Sequence, residues 1–175
     1  MKLTKVEDFC EEIARYEIMK EYFSVNFETG LITRTKIITN DPKNKIGDNV
    51  KCKCDNGYIR FTFKGNNIRA HRFIFYCYHG VLYPIIDHEN TIRDDNRILN
   101  LRGGTGSQNM QNQNKPHSNN KSGYLGVGFH KREQKYIAKI QINGKKKHLG
   151  YFTNPKEAHE AYLTAKRLHH EFCTI

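Results

Sequence analysis

Residues 85–114 read IIDHENTIRDDNRILNLRGGTGSQNMQNQN and place an acidic residue directly beside a histidine, ahead of a series of asparagines. Asp87 and His88 close a short apolar run, and Asn100 and Asn109 follow 12 and 21 positions after His88. A carboxylate oxygen can hold a hard divalent cation, and a neighbouring imidazole can take a proton from water. This combination of residue types predicts metal-assisted cleavage of a phosphodiester bond.

The segment resembles the HNH nuclease family, in the form found in phage and intron-encoded homing endonucleases. The resemblance spans residues 66–112, with landmarks in this order: Ala70-His71-Arg72, His79-Gly80, Asp87-His88, Asp95-Asn96, Asn100-Leu101-Arg102 and Asn109. It implies a ββα-metal nuclease domain, in which two strands and a helix grip one metal ion. The strands are expected at residues 84–88 and 99–103, and the helix from Ser107.

The resemblance gives roles to four of these residues. It implies that His88 is the general base and that Asp87 and Asn109 are metal ligands. Asn100 is implied to hold the loop that aims the base. Carboxylate and amide oxygens are hard donors, so the expected cofactor is a divalent metal, Mg²⁺ or Mn²⁺.

Several residues of the motif have more than one interpretation. Arg72 and Arg102 are candidate DNA contacts that clamp a phosphate, or else solvated charges. His71 is either a core histidine or a neighbour of the site. Asn96 is either a turn residue or a functional one, and Asn109 could be a helix cap.

Charge points to a polyanionic partner. The 175-residue chain carries 29 Lys and Arg against 18 Asp and Glu, a net charge of +11. The excess is uneven, with net charges of −2 over residues 1–22, +6 over 23–115 and +7 over 116–175. A small protein this basic is expected to bind a polyanion, with a soluble Lys-rich surface as the alternative, and the nuclease resemblance implies that the polyanion is double-stranded DNA.

The C-terminal region has its own pattern. Three alternating segments at residues 124–130, 135–142 and 145–152 predict short strands, and residues 156–170 predict a helix. The expected apolar stripe of that helix comprises Ala158, Ala161, Tyr162, Ala165 and Leu168. This βββα order resembles the plant ethylene-response-factor type of DNA-binding domain, the APETALA family, through Gly126-Val127, Ala138, Leu149-Gly150, Phe152 and the helix.

The resemblance implies that one face of the three-stranded sheet lies in the DNA major groove. Alternation along the strands places Lys139 and Gln141 on that face. The positions that match DNA contacts on the flanking strands are His130, Lys146 and His148. The plant domain uses arginines and tryptophans there, and this chain has no tryptophan. A packing module with a charged outer face is the alternative.

The predicted fold class is α+β: an HNH nuclease domain with an N-terminal helix and hairpins, followed by a small βββα DNA-binding domain. The expected boundaries are 1–110 for the nuclease domain, 111–122 for a polar linker and 123–175 for the C-terminal domain. Ahead of the motif, a helix is expected at residues 5–22, hairpins at 23–37 and 50–64, and an aromatic helix at 68–78.

Five cysteines and no long apolar run bear on the compartment. No signal peptide or membrane span is expected, so the chain is expected in a cytosol, the host's if it is phage-encoded. The odd cysteine number favours thiols over disulfides. The Cys52-x-Cys54 spacing does not match a zinc site.

The sequence therefore predicts a homing-type, metal-dependent DNA endonuclease, acting as a monomer or a homodimer. Two alternatives stay open: a non-catalytic DNA-binding regulator with a decayed nuclease fold, and a restriction-type HNH nuclease. The target site and the number of strands cut do not follow from the sequence.

Overall fold

The computed structural model describes residues 9–38, 44–50 and 56–175. The chain divides into two compact units, Met1–Thr105 and Gly106–Ile175. Within the described ranges, no helix is long and apolar enough to cross a membrane. No disulfide joins the described cysteines, while Cys52 and Cys54 lie outside these ranges.

In its described residues the first unit contains two α-helices and three antiparallel strand pairs, with a short 3-10 helix at Ile98–Asn100. In chain order its elements are α1 (Cys10–Met19), β1 (Phe23–Asn26), β2 (Leu31–Arg34), β3 (Arg60–Phe63), β4 (Asn66–Arg69), α2 (Ala70–His79), β5 (Ile85–His88) and β6 (Leu101–Gly104). The pairs are β1 with β2, β3 with β4, and β5 with β6.

Aromatic side chains from separate elements form the core of this unit. The fully buried members include Tyr16 of α1, Phe63 of β3 and Phe73 of α2. Tyr16 and Phe73 meet edge to face, with ring centroids 5.3 Å apart. Burying a side chain of this size stabilises the fold by about 1.5–3 kcal/mol. The core thus holds α2 in place, and α2 leads directly into the motif strands.

The predicted N-terminal elements are confirmed with shorter bounds. The hairpin expected at residues 23–37 is β1–β2, and the helix expected at 5–22 appears as α1, residues 1–8 being outside the described ranges. The helix expected at 68–78 begins only at Ala70, because residues 66–69 pair with β3 as a strand. The first strand of the hairpin expected at 50–64 is Val50–Cys54, and all of it after Val50 lies outside the described ranges.

The motif itself forms the expected antiparallel pair. Ile85–His88 pairs with Leu101–Gly104, so that Asp87 faces Arg102 and His88 faces Leu101. The helix expected from Ser107 is α3 (Gly106–Gln111), at the start of the second unit. The order strand, loop, strand, helix is therefore confirmed.

The second unit is a three-stranded antiparallel sheet backed by a helix. Its strands β7 (Val127–His130), β8 (Lys135–Ile142) and β9 (Lys145–Phe152) are followed by α4 (Pro155–His169). Ala138 and Ile140 pack against Ala158 and Tyr162 of the helix. The Asn154 side chain caps α4 by accepting from the backbone N–H of Lys156 at 2.9 Å. Of the expected stripe, Ala158, Tyr162 and Ala165 are buried in this core, Ala161 is half-buried, and Leu168 is 74% exposed.

The segment predicted to be a linker begins with residues that pack against the C-terminal end of the chain. Asn112 is buried and accepts a hydrogen bond from the Thr174 hydroxyl at 2.7 Å. Gln111 accepts from the backbone N–H of Phe172 at 3.3 Å, and the buried Lys166 donates to the Gln113 carbonyl. Polar composition alone does not reveal these partners, because they lie more than fifty positions away along the chain.

Candidate functional site

The Asp87–His88 pair ends strand β5. Successive side chains of a strand point to opposite faces. His88 points into the unit and is 3% exposed, whereas Asp87 is half-buried. The end of the strand therefore presents an imidazole and a carboxylate from neighbouring positions, as expected for a base beside a cation ligand.

The two ring nitrogens of His88 are distinguished by a buried amide. Nε2 lies 3.0 Å from Oδ1 of Asn96, which is 4% exposed. A carbonyl oxygen only accepts hydrogen bonds, so Nε2 carries the proton and Nδ1 carries the lone pair. Burial lowers the pKa of His88, although the Asn96 hydrogen bond and the charge of Asp87 act in the opposite direction. A neutral imidazole is the form that can accept a proton from water.

Asn100 ties together the loop that carries Asn96. Its side-chain oxygen accepts from the backbone N–H of Asn90 at 2.9 Å, and its side-chain nitrogen donates to the Asp95 carbonyl at 2.7 Å. Its own carbonyl accepts from the N–H of Glu89 at 2.9 Å. One buried amide thus spans the loop from both ends, as the proposed loop-holding role requires.

The turn of the β1–β2 hairpin supports the same loop from behind. The Phe27 carbonyl accepts from the N–H of Ile98 at 2.9 Å. Gly30 has φ +69°, and a Cβ placed there would lie 2.4 Å from the backbone carbon of Asn96. Only glycine allows this approach, so the N-terminal hairpin helps to position the residue that orients His88.

Asp87 is held by an ion pair across the strands. Nε and Nη2 of Arg102 lie 3.3 and 3.2 Å from Oδ2 of Asp87. Arg102 was predicted to contact DNA, and here its guanidinium pairs with Asp87. The pair is a reason to expect Arg102 to orient the carboxylate as well.

The predicted metal ligands supply hard oxygen donors, the kind that Mg²⁺ and Mn²⁺ prefer. No cluster of three or more His, Cys, Asp or Glu residues placed to hold a metal occurs among the described residues. A carboxylate with an amide is a smaller protein donor set, which suits a cation that keeps several waters. Asn109 lies on α3 in the second unit, and its role stays a prediction.

His71 lies beside His88 in the same unit. Their ring centroids are 5.0 Å apart, and the Tyr58 ring is 5.2 Å from His71 and 5.8 Å from His88. Burial lowers the pKa of His71 to about 3, and the neighbouring basic groups of His88, Arg69, Arg72 and Arg60 act in the same direction. His71 is thus a neutral neighbour of the proposed base.

Arg72 does not have the surroundings of a DNA contact. It is 9% exposed and donates from Nε and Nη2 to the carboxylate of Glu12 at 2.8 and 2.7 Å. Nη1 donates to the Tyr83 carbonyl at 3.1 Å. Its charge is compensated inside the fold, so that Arg72 joins α2 to Glu12 of α1, and the DNA contact expected of it stays a prediction.

The register of the C-terminal sheet bears out the predicted sharing of one face. Lys139 faces His148 and Gln141 faces Lys146, and all four are exposed. His130 at the end of β7 shares their face and accepts from the N–H of Glu133 at 3.3 Å through Nδ1. The surface formed by these five residues is called the outer face below. That it binds DNA stays a prediction.

Sequence reasoning missed Tyr151, which also belongs to the outer face. Strict alternation from Lys146 would turn Tyr151 toward α4, but a β-bulge beside Ala138 and Lys139 shifts the register. Tyr151 therefore pairs with Ile137 across the strands and is itself 44% exposed. The centroid of the Tyr151 ring lies 4.7 Å from that of His148 and 5.3 Å from that of His130. The Leu149-Gly150 step was the available signal, since glycine within a strand often marks a bulge.

Comparison with known proteins shows a similarity to a described family in one part of this chain. Residues 69–111 match the family model described as HNH endonuclease. A solved structure concerned with DNA binding and cleavage by the HNH homing endonuclease I-HmuI is similar at 22% sequence identity and a TM-score of 0.42. The alignment covers 88% of this chain and 92% of that one. Because the TM-score is below 0.5, this similarity does not establish a shared fold. No curated protein matches the chain.

Proposed function

We propose that the chain is a metal-dependent DNA endonuclease of the homing type, given that residues 69–111 carry an HNH endonuclease segment. The observation that carries the proposal is the buried His88, held by Asn96 beside the Asp87 carboxylate. The net charge of +11 supports a nucleic acid as the substrate.

In the proposed mechanism His88 accepts a proton at Nδ1 from the water that attacks the phosphorus atom. Asn96 fixes the ring by accepting from Nε2–H, and it stabilises the imidazolium that forms. Asn100 keeps the loop in place during this step. The proton of the attacking water thus passes to Nδ1 of His88. The imidazole is neutral before this step because the ring is buried.

Asp87 and Asn109 are the residues proposed to hold the divalent metal. When bound, Mg²⁺ or Mn²⁺ supplies positive charge that stabilises the extra negative charge on the phosphate and the leaving oxygen. Arg102 keeps the Asp87 carboxylate in one orientation through its ion pair. The positive charge of Arg102 also reduces the repulsion between the Asp87 carboxylate and a DNA phosphate.

The outer face is proposed to hold duplex DNA. Lys139 and Lys146 supply positive charge, Gln141 can read a base edge, and Tyr151 adds an exposed ring. The βββα resemblance to the APETALA family supports this role. In this proposal Asp87 and His88 of the first unit act in cleavage, and the outer face of the second unit selects the DNA.

The proposal is tested by nicking of supercoiled plasmid with Mg²⁺, with Mn²⁺ and with EDTA. Wild-type protein should nick only with metal, and Asp87→Ala and Asn109→Ala should need more metal for the same rate. Unchanged activity in EDTA would exclude the metal, and binding without nicking under every condition would favour the regulator. If Asn109→Ala loses thermal stability but keeps the wild-type metal response, Asn109 is a helix cap instead.

A further inference from the structure

Two arginines face each other on the β3–β4 hairpin of the first unit. Arg60 pairs with Arg69 across the strands. Like charges at facing positions of an antiparallel pair destabilise it. Within the described ranges neither guanidinium forms an ion pair, and the buried Nε of Arg60 has no hydrogen-bond partner. The hairpin therefore tolerates an electrostatic penalty that its own residues do not offset.

Helix α2 starts directly after Arg69 and adds to the positive potential. Among the described residues no side chain caps its N-terminus, and its first turn contains no acidic residue. The N–H groups at a helix start carry partial positive charge and favour anions. An acidic or capping group commonly occupies this position, and the part of the chain that the structure describes supplies none to this ten-residue helix.

His71, the second residue of α2, is the independent sign of a missing partner. It is 2% exposed, and in the described part of the chain its Nδ1 has no hydrogen-bond partner. A buried polar nitrogen without a partner costs stability, and native proteins contain few. The charged groups that act on this ring include the guanidinium groups of Arg60, Arg69 and Arg72, and the neighbouring His88 is also basic. Glu12 compensates Arg72, whereas no carboxylate in the described part of the chain pairs with Arg60 or Arg69.

We propose that Arg60, Arg69 and His71 form a subsite for one phosphate group of the DNA backbone, next to His88. The proposal rests on the endonuclease function proposed above. A phosphodiester offers two acceptor oxygens and one negative charge, which match a guanidinium fork and a ring N–H donor. Bound there, the phosphate would lie beside the ring 5.0 Å from His71 that is proposed to activate water. The subsite thus positions the strand for cleavage.

The first test measures binding of a labelled DNA duplex in EDTA over a range of salt concentrations. Arg60→Gln/Arg69→Gln should bind about tenfold more weakly, and its slope of log affinity against log salt should fall by about 0.9, the effect of one phosphate contact. Arg60→Lys/Arg69→Lys should keep most of that slope. The matched control, Lys20→Gln/Lys36→Gln, removes the same charge from residues that pair with Glu17 and Glu21, and it should bind like wild type.

The second test uses inorganic phosphate and the NMR signals of the imidazole rings. Phosphate should shift the His71 signals in wild type, with a smaller shift in the Lys variant and none in the Gln variant. An unchanged salt slope in the Gln variant, or His71 signals that do not shift with phosphate, overturns the subsite. If wild-type protein still nicks DNA in that case, the proposed endonuclease function is not affected. If wild type neither nicks nor binds DNA, the proposed function fails, and the phosphate titration still decides the subsite.

Discussion

His88 has two ring nitrogens, and its surroundings give each a separate task. Asn96 accepts from Nε2, which directs the lone pair to Nδ1. Neighbouring side chains are similarly restricted: Arg102 pairs with Asp87, and Arg72 pairs with Glu12. At this scale two arginines of one motif have different neighbours, because one faces a carboxylate at the strand end and the other a carboxylate of α1.

His88→Ala should reduce the rate of plasmid nicking by about 10²–10⁴-fold, the usual effect of losing a general base. DNA affinity measured in EDTA should stay near the wild-type value, since the base is not expected to anchor the duplex. Nicking at the wild-type rate would remove His88 from the mechanism.

Asn96→Leu should lower kcat while leaving KM for DNA nearly unchanged, because the ring would lose the acceptor that fixes its tautomer. Asn96→Asp keeps an acceptor oxygen and should recover part of the rate. A change in thermal stability with normal kcat in Asn96→Leu would mean that Asn96 only supports the loop.

His71 gives the first unit a pH dependence of stability. An unfolded histidine has a pKa of about 6.5, whereas burial lowers the pKa of folded His71 to about 3. Below pH 6.5 the unfolded chain takes up a proton that the folded unit does not, so stability falls between about pH 6.5 and 3. The slope from this group is at most about 1.4 kcal/mol per pH unit.

Urea denaturation at a series of pH values tests this effect by comparing wild type with His71→Gln. The variant should lose less stability on acidification, whatever its stability at pH 7. Parallel pH profiles for the two proteins would show that His71 does not stay neutral in the fold.

At the scale of the elements, the β1–β2 turn supports the loop that carries Asn96. Gly30→Ala should destabilise the fold by about 1–3 kcal/mol and reduce nicking, since the added Cβ must displace the Asn96 backbone. Gly65→Ala is the matched control, because Gly65 also has positive φ, +78°, but has nothing within 4 Å of the added Cβ. Equal losses in both variants, measured by thermal melting and nicking, would mean that backbone strain alone is responsible.

The sheet of the second unit can be tested as an element in the same way. Replacing Lys139, Gln141, Lys146 and His148 together with alanine should weaken binding and blur the choice of cleavage site, while nicking of random DNA at high enzyme concentration survives. Cleavage mapping on a long DNA gives the measurement. If the quadruple variant binds and cuts the native site like wild type, the outer face is not the reading surface.

At the scale of the whole molecule, we expect the second unit to fold independently of the first. Residues 106–175 should fold alone and bind duplex DNA with an affinity that falls steeply with salt. The shorter piece 123–175 should be less stable by about 1–3 kcal/mol. It lacks Asn112 and Gln113, so the ammonium group of the buried Lys166 loses its carbonyl partner.

Urea denaturation of the two fragments compares their stabilities, and a salt series compares their DNA affinities. If the two fragments had the same free energy of unfolding, residues 111–122 would be a simple linker. Folding of the longer fragment without any DNA binding would leave the βββα unit as a packing module.

Short-range patterns in the sequence were sufficient for most elements. Residues 135–142 and 145–152 were expected as strands and form β8 and β9 with the same bounds, because alternation and the Asn143-Gly144 turn act within a few residues. The order of Asp87, His88, Asn100 and Asn109 likewise suggested the nuclease motif. Local propensity and motif spacing are properties of neighbouring residues, so they can be read before the chain folds.

The tertiary structure decided which distant groups meet. Glu12 reaches Arg72 over 60 positions, and Thr174 reaches Asn112 over 62. The Asn96 side chain contacts His88 because Asn100 closes the loop between them. Such contacts depend on how elements pack, and a single bulge is enough to turn Tyr151 to the outer face. No periodicity encodes these choices, because each arises from long-range packing or from one irregular residue.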